Sequence, residues 1–495
     1  MAKLCLSLTG STIRKDLEVL DRYRNVVDLA ELRVDFLEAQ EQFYVRGFPE
    51  KAGMPTILTV RRKADGGRFD QGEGVRLVIF AKGLAYADTD PTRNFAYVDI
   101  EHDFDIPAIQ EAARTFGTKV IRSLHRLDGM PPDMERLWKG LSSNPYEIPK
   151  VSVKARGVAD VEALMRFFAG RQGAGERIVN SPGEYGFCTR VLTDLTGSML
   201  TYASATGAGL EPSAPGQLDP EILIKTYRCR VAGPGWDLYG LLGGPSVVGS
   251  LSPALHNAGF AKAGIRALYL PFPADELEPF MRLAELLGLK GFSVTVPFKE
   301  RVLQRLSERS VAVDAIGACN TAARTPAGWS GHNTDAYGFK KSVLEFLGAP
   351  DLRGVRACLV GAGGAARAAA YTLHELGATA CVINRSITKA KRLAERYGFA
   401  WSGMTERAVD LMERHNDLIV QATSVGMDGG PPGDPIDWYE FTGREAVFEA
   451  IYNPPETPLL KRARAAGCRA VNGLGMLKAQ AAAQFKLFTG LDYPG

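Results

Sequence analysis

Eight short apolar stretches recur at similar intervals through the first 204 residues, and that recurrence narrows the possible folds more than any other feature. They are LCLSL (4–8), AELRVDF (30–36), TILTVRR (56–62), AYVDIEH (96–102), KVIRSLH (119–125), KVSVK (150–154), RIVNS (177–181) and MLTYAS (199–204). Helical stretches separate most of them: DLEVLDRYRN, GVRLVIFAKGLAYAD, IPAIQEAARTF, DMERLWKGLSS and DVEALMRFFAG. Strand and helix alternating eight times predict an α/β fold, a (β/α)8 barrel over residues 1–228. Residues 205–245 are rich in Gly and Pro and mark a seam. A second α/β series starts at 246. It is expected to form a two-lobed unit, with one lobe at 233–337 and a nucleotide-binding lobe at 338–475. A C-terminal helix near 476–490 is expected to pack back on the first of these lobes. Alternation predicts mainly parallel sheets throughout.

The length of 495 residues exceeds what one core supports, and 45% hydrophobic with 23% charged residues is ordinary for a globular chain. A formal net charge of +3 without a basic block argues against a nucleic-acid partner. No apolar run approaches ~18 residues, so no membrane span is expected. The start, MAKLCLSLTG, enters a strand at once, without a secretory or transit pattern. Seven cysteines lie scattered with no C-x-x-C pair, which argues against zinc and against a disulfide framework, and no metal site is expected. A cytoplasmic location is expected. Oligomeric state is not legible.

Gly361-x-Gly363-x-x-Ala366 follows the strand ACLV and opens the helix AARAAAYTLHEL, and a second strand, CVIN, follows. The first glycine permits a tight turn and the second a close approach to a pyrophosphate, and Ala366 lets helix pack on strand. A dinucleotide is expected in a Rossmann-type lobe. Where an acid would hold a ribose 2′-hydroxyl, the chain reads Asn384-Arg385-Ser386, with Lys389 beyond. A guanidinium suits a 2′-phosphate, so NADP(H) is favoured over NAD(H).

In the first half, Glu31, Arg33 and Asp35 share one strand face, as do Asp99 and Glu101, and Ser123 and His125. Polar side chains pointing into a barrel near strand ends predict a site at its C-terminal mouth. Lys150 and Lys154 are four apart, so strand parity cannot choose between them. Lys154 stands nearer the mouth.

The segments GSLSPALHN (249–257), GFSVTVPFKE (291–300), IGACNT (316–321), GHNTDAYGF (331–339), GAGGAARA, NRS, ATSVGM (422–427), YNPPETPLL (452–460) and NGLGMLKAQ (472–480) resemble, in order, the motifs of shikimate dehydrogenase. The resemblance implies a catalytic pair, Lys299 donating a proton to the forming alkoxide and Asp335 orienting it. It implies substrate contacts from Ser250, Ser252, Thr295, Asn320, Tyr452 and Gln480, with the first lobe binding shikimate. The nucleotide is implied to lie against Gly361, Gly363, Gly364 and Ala365, then Asn384, Arg385, Ser386 and Lys389, then Thr423, Ser424, Gly426, Met427 and Gly473. Departures from the family pattern are Gly249 for His, Ser293 for Asn, Gln421 for Asn and Glu449 for Asp.

ELRVD (31–35), TVRRKADGG (59–67), YVDIE (97–101), RSLHR (122–126), IPKVSV (148–153), EYGFCTR (184–190) and SAPGQ (213–217) together resemble type I 3-dehydroquinate dehydratase. That resemblance selects Lys150 for an imine with the substrate ketone and His125 as the base. It implies substrate contacts from Glu31, Arg33, Arg61 and Arg190, and from Ser213 and Gln217 on a loop closing over the ligand. Asp65 stands where the family carries a Glu supporting the histidine. The product of this family, 3-dehydroshikimate, is the ketone the other reduces. The expected activity is therefore dehydration of 3-dehydroquinate followed by NADPH-dependent reduction to shikimate, with small molecules as partners. Two alternatives are a metabolite-sensing regulator that lost the chemistry, and a quinate or shikimate dehydrogenase working oxidatively.

Overall fold

A computed structural model describes residues 2–85, 90–171 and 175–495. Tyr86–Asp88, the end of the sequence-read helix GVRLVIFAKGLAYAD, lie outside the described residues. Contacts divide the chain into two compact units. The first comprises Met1–Leu238, Val247–Asn257 and Arg266–Gly288, and the second Tyr239–Ser246, Ala258–Ile265 and Leu289–Gly495.

In the first unit all eight sequence-read strands form. They are β1 (Lys3–Leu8), β2 (Leu29–Arg33), β3 (Thr56–Thr59), β4 (Tyr97–Glu101), β5 (Lys119–Arg126), β6 (Glu147–Val153), β7 (Ile178–Asn180) and β8 (Leu200–Ser204). They pair in the order β7-β6-β5-β4-β3-β2-β1-β8, every pair parallel. The ladder is a nearly closed barrel, and the Met199 N–H donates to Arg177 O across the seam beside β7 and β8 at 2.8 Å. β2 is shorter than read: Val34–Phe36 tighten into a 3-10 turn.

Period-two alternation separates two cores. Outward residues such as Leu4, Leu6, Leu8, Ala30, Leu32, Leu58, Val98 and Ile100 pack with helix residues such as Val19, Leu20, Ile79 and Phe80. Inward, Cys5, Leu29, Ile57, Tyr97, Ile121, Ile148, Ile178 and Leu200 form one apolar plug, one residue from each strand. Fully burying each large member contributes about 1.5–3 kcal/mol. Two residues further along each strand the inward face turns polar: Ser7, Glu31, Thr59, Asp99, Ser123, Lys150, Asn180 and Tyr202. The plug closes the barrel below, so the polar layer opens only toward the C-terminal strand ends.

The second unit holds strands of two sheets. β9 (Asp237–Gly243), β11 (Gly291–Val294), β13 (Thr321–Thr325), β14 (Gly328–His332) and β12 (Glu308–Arg309) lie side by side in that order, β10 (Ala267–Pro273) belonging to the first unit. This sheet is mixed rather than mainly parallel. β13 runs antiparallel to both β11 and β14, because the turn Thr325-Pro326-Ala327-Gly328 folds 321–332 into a hairpin. The other sheet is wholly parallel, with strands β15 (Arg356–Val360), β16 (Thr379–Asn384), β17 (Ala400–Gly403), β18 (Leu418–Gln421), β19 (Ala446–Glu449) and β20 (Arg469–Val471) in the order β17-β16-β15-β18-β19-β20. Both its faces are buried, Leu359, Val382 and Val420 on one and Val360, Ile383 and Ile419 on the other. Order reverses between β15 and β18, which opens a crevice at their C-terminal ends. The helix Thr334–Leu347 spans the residue-337 boundary, and the last helix, Leu474–Thr489, packs along it and reaches β11 through a 2.9 Å bond from Ser293 Oγ to Gln484.

Candidate active sites

The polar layer of the barrel is one hydrogen-bonded network. Asp99 is its hub: Arg61 approaches at 2.7 Å, Ser123 Oγ donates at 2.6 Å and Lys150 Nζ at 2.6 Å. Lys150 also donates to Tyr202 Oη at 2.9 Å. Burial alone would raise the Asp99 carboxyl, but Arg61 and Lys150 hold it well below the ordinary range. Arg61 bonds Glu101 at 2.5 Å, and Glu101 also pairs with the buried Arg76. Glu31 accepts from Ser7 at 2.6 Å and Thr59 at 2.9 Å.

The structure separates the two lysines that parity could not. Lys150 is 4% exposed within this network, whereas β6 ends at Val153 and Lys154 is exposed. Of its direct partners, Asp99 was read from sequence only as an inward polar residue without a role, and Tyr202 was not singled out. The signal was there in their parity, since both sit two residues past a plug residue on their own strands. His125, also inward-facing, has a buried Nε2 with no hydrogen-bond partner among the described residues. Burial first, then Arg61 and Lys150, push its pKa well below the usual value, so the ring is a neutral base near pH 7. No hydrogen bond joins Asp65 to it among the described residues. Its carboxylate pairs with Arg62 at 2.6 Å, because Lys63–Asp65 curls into a short 3-10 turn that returns it to its own neighbour.

Arg33 is gripped bidentately by Asp35 (2.9 and 2.7 Å) and reaches Ser213 O at 3.3 Å. Arg190 donates to Pro215 O at 2.8 Å, while its Nε is buried and without a hydrogen-bond partner among the described residues, and burial lowers its pKa to about 10. Ser213 Oγ donates to Gln217 at 3.0 Å. Arg33, Arg190, Ser213 and Gln217 therefore all meet on the 205–219 loop.

In the second unit Lys299 forms a hydrogen-bonded ion pair with Asp335, both largely withdrawn from solvent. Asn320 donates to Asp335 at 2.8 Å, Thr334 Oγ1 at 2.9 Å and Gln480 at 3.3 Å, bringing four of the sequence-read residues together. Thr295 lies at the end of β11, its N–H on Leu242 O at 2.8 Å, and Tyr452 is half-buried without a hydrogen bond among the described residues. Ser250 and Ser252, in the first unit, bond each other: the Ser252 N–H donates to Ser250 Oγ at 3.1 Å.

Lys299 adjoins the glycine fingerprint. A Cβ on Gly364 would lie 2.8 Å from Lys299 Cδ, so any side chain there would push the lysine stem aside. Gly361 has φ +120° and faces Ala422 and Thr423 across the crevice at a would-be Cβ distance of 3.1 Å. A cavity of about 170 Å³ is lined by Glu300, Ala362, Gly363, Arg367, Asn384, Arg385, Ser386 and Lys389. Glu300 is neutralised by Arg367 at 3.0 Å, two lining residues not singled out from sequence. Arg385 and Lys389 are exposed and make no ion pair among the described residues, so the cavity carries uncommitted positive charge. These residues fit a dinucleotide with an extra phosphate. On the far side of the crevice, facing Gly361, Thr423 N–H donates to Gln421 Oε1 at 2.6 Å, Ser424 and Met427 are exposed, and Gly426 turns with φ +89°. Ala365 opens the fingerprint helix, and Gly473 caps the last helix with its N–H on Ile451 O. Two of the departures from the family pattern touch: Gln421 Nε2 lies 3.4 Å from Glu449.

Three family models match successive stretches of the chain. Residues 4–233 match the family model for type I 3-dehydroquinase, residues 242–322 the shikimate dehydrogenase substrate binding domain, and residues 345–426 shikimate / quinate 5-dehydrogenase. Among relatives, a bifunctional 3-dehydroquinate dehydratase/shikimate dehydrogenase, chloroplastic, from Arabidopsis thaliana is 29% identical over 99% of this chain and 82% of its own. NADP(+) shikimate dehydrogenases from Halothermothrix orenii and Halorubrum lacusprofundi are 38% and 42% identical over 51% and 52% of this chain, and over 90% and 95% of their own lengths.

Proposed function

Since the chain belongs to the shikimate dehydrogenase family and carries a type I 3-dehydroquinase domain ahead of that region, we propose that it performs two consecutive steps, converting 3-dehydroquinate to 3-dehydroshikimate in the barrel and reducing that ketone with NADPH in the second half. Neither a sensor that lost its chemistry nor an oxidative quinate enzyme is favoured by these findings. Seven free cysteines suit a reducing cytoplasm.

In the barrel, Lys150 Nζ forms the C=N bond with the substrate ketone, and the carbonyl oxygen leaves as water. The imine acidifies the adjacent C–H. Neutral His125 takes that proton and returns it to the departing hydroxyl, which leaves as water. A further water hydrolyses the imine and restores the amine. Asp99 and Tyr202 hold Nζ in place meanwhile, and Arg190, a buried cation with an unspent N–H, suits the substrate carboxylate.

In the second half, bound NADPH supplies hydride to the ketone carbon. Arg385, Lys389, Asn384 and Ser386 would hold its extra phosphate, and the backbone N–H groups of the Gly361–Gly364 turn would serve its pyrophosphate. Lys299 donates the proton to the carbonyl oxygen, Asp335 aims the ammonium, and Asn320 and Gln480 tie Asp335 to the substrate-facing wall. The carrying observation is the Lys299–Asp335 pair lying against Gly364, which brings proton donor and nucleotide turn within one side chain's length. The test is to incubate the chain with 3-dehydroquinate, with and without NADPH. Enone absorbance without nucleotide is expected from the first step, and nucleotide oxidation from the second. Absence of either signal removes the corresponding half of the assignment.

A further inference from the structure

We propose that Glu449 is a positioning residue for NADP(H): acting through the side-chain amide of Gln421, it holds the Thr423–Val425 backbone that walls the nucleotide crevice. This rests on the reading that the crevice between β15 and β18 takes the nucleotide.

Gln421 and Glu449 end neighbouring parallel strands and are register partners. Both are 0% exposed. The Gln421 amide is committed at each end. Its Oε1 accepts from Thr423 N–H at 2.6 Å, and its Nε2 donates to Val425 O at 3.2 Å and Thr423 O at 3.5 Å. An amide is nearly isosteric end for end, so its polarity must be set by a neighbour. Glu449 Oε1, 3.4 Å from Nε2, accepts only. A flipped amide would set its oxygen against Glu449 and Val425 O and its NH2 against Thr423 N–H. Glu449 is fixed in turn by Thr457, whose Oγ1 donates to Oε2 at 2.5 Å while accepting from Leu460 N–H at the start of the helix Pro458–Ala465.

Two features argue that this carboxylate is more than filler. It is fully buried, yet no basic side chain lies within ion-pair distance among the described residues. Burial raises its pKa to about 7. An uncompensated buried acid is costly, and an apolar residue of equal size would be the cheaper core choice. Its hydrogen bonds, moreover, lead to the segment that faces Gly361, whose would-be Cβ lies 3.1 Å from Ala422 and Thr423. A proton, if present, belongs on Oε2 toward Thr457, which leaves Oε1 an acceptor in either state. Glutamine can reproduce that arrangement and methionine cannot.

The test compares Glu449→Met and Glu449→Gln with wild type, titrating NADPH by its fluorescence and measuring reduction kinetics, with dehydratase turnover as an internal control for folding. Glu449→Met is expected to raise the NADPH Kd and KM about five- to tenfold, with kcat and the KM of the ketone within twofold of wild type. Glu449→Gln is expected to bind NADPH within twofold of wild type. Wild-type NADPH affinity in Glu449→Met would overturn the proposal. So would a parallel fall in kcat and in affinity for both substrates, the mark of general loosening. Failure of the wild-type chain to bind NADPH at all would remove the underlying nucleotide reading, and this proposal with it.

Discussion

Replacing Lys150 with Met separates the chemistry of the barrel from its stability. Methionine keeps the length and apolar stem but removes the nucleophile and one of three side chains holding Asp99. Breaking one partner out of a buried ion pair costs about 3–5 kcal/mol. Arg61 at 2.7 Å and Ser123 at 2.6 Å still compensate Asp99, which places the expected cost near the lower bound, about 3 kcal/mol. For a domain of this size that lowers Tm by about 6–12 °C. Loss of a covalent nucleophile is expected to lower dehydratase kcat by at least ~10⁴-fold, while NADPH-dependent reduction stays within twofold of wild type. The assay follows enone absorbance well below the shifted Tm. Borohydride added during turnover, followed by peptide mapping, locates the adduct. Retention of more than about a tenth of the dehydratase activity, or an adduct at Lys154, would refute the reasoning, because exposure rather than burial would then mark the reactive amine.

In the second half, Lys299→Met is expected to lower reductase kcat by about 10²–10⁴-fold, the usual worth of a positioned proton donor, with dehydratase turnover intact in the same sample. Removing the guanidinium in Arg385→Ala deletes a charge-assisted phosphate contact at an exposed site, so KM for NADPH should rise about tenfold while KM for NADH stays within twofold; equal effects on both nucleotides would count against the 2′-phosphate reading. The dehydratase should keep its activity below pH 6.5, because His125 is held neutral by burial, Arg61 and Lys150; a pH profile of kcat/KM whose acid limb lies at or above 6.5 contradicts this. The same group gives a stability signature: the unfolded chain takes up that proton near pH 6.5 and the folded chain only lower, so Tm should fall as pH drops from about 6.5 through the folded value, and His125→Asn should flatten that slope.

Local pattern made the strand–helix alternation, the fingerprint and the parity of the inward faces legible. Each of these is set by side-chain direction along a few consecutive residues. The hairpin at 321–332 was missed although its turn, Thr325-Pro326-Ala327-Gly328, is written in the chain; alternation elsewhere suggested parallel strands and overrode it. Asp65 was read by its place in a motif, whereas its short side chain on a tight turn finds Arg62 first.

By itself, then, the amino-acid order determined the elements, their repeat and the basic strand end Asn384-Arg385-Ser386, because periodicity, turn chemistry and residue type at a strand end are local properties. Tertiary structure alone decided which lysine is withdrawn from water, that Asp99 and Tyr202 grip it, and that Gln421 meets Glu449 across 28 residues. Those outcomes depend on where a strand stops and how neighbouring strands register, and parallel strands joined by helices bring together residues that no local window contains.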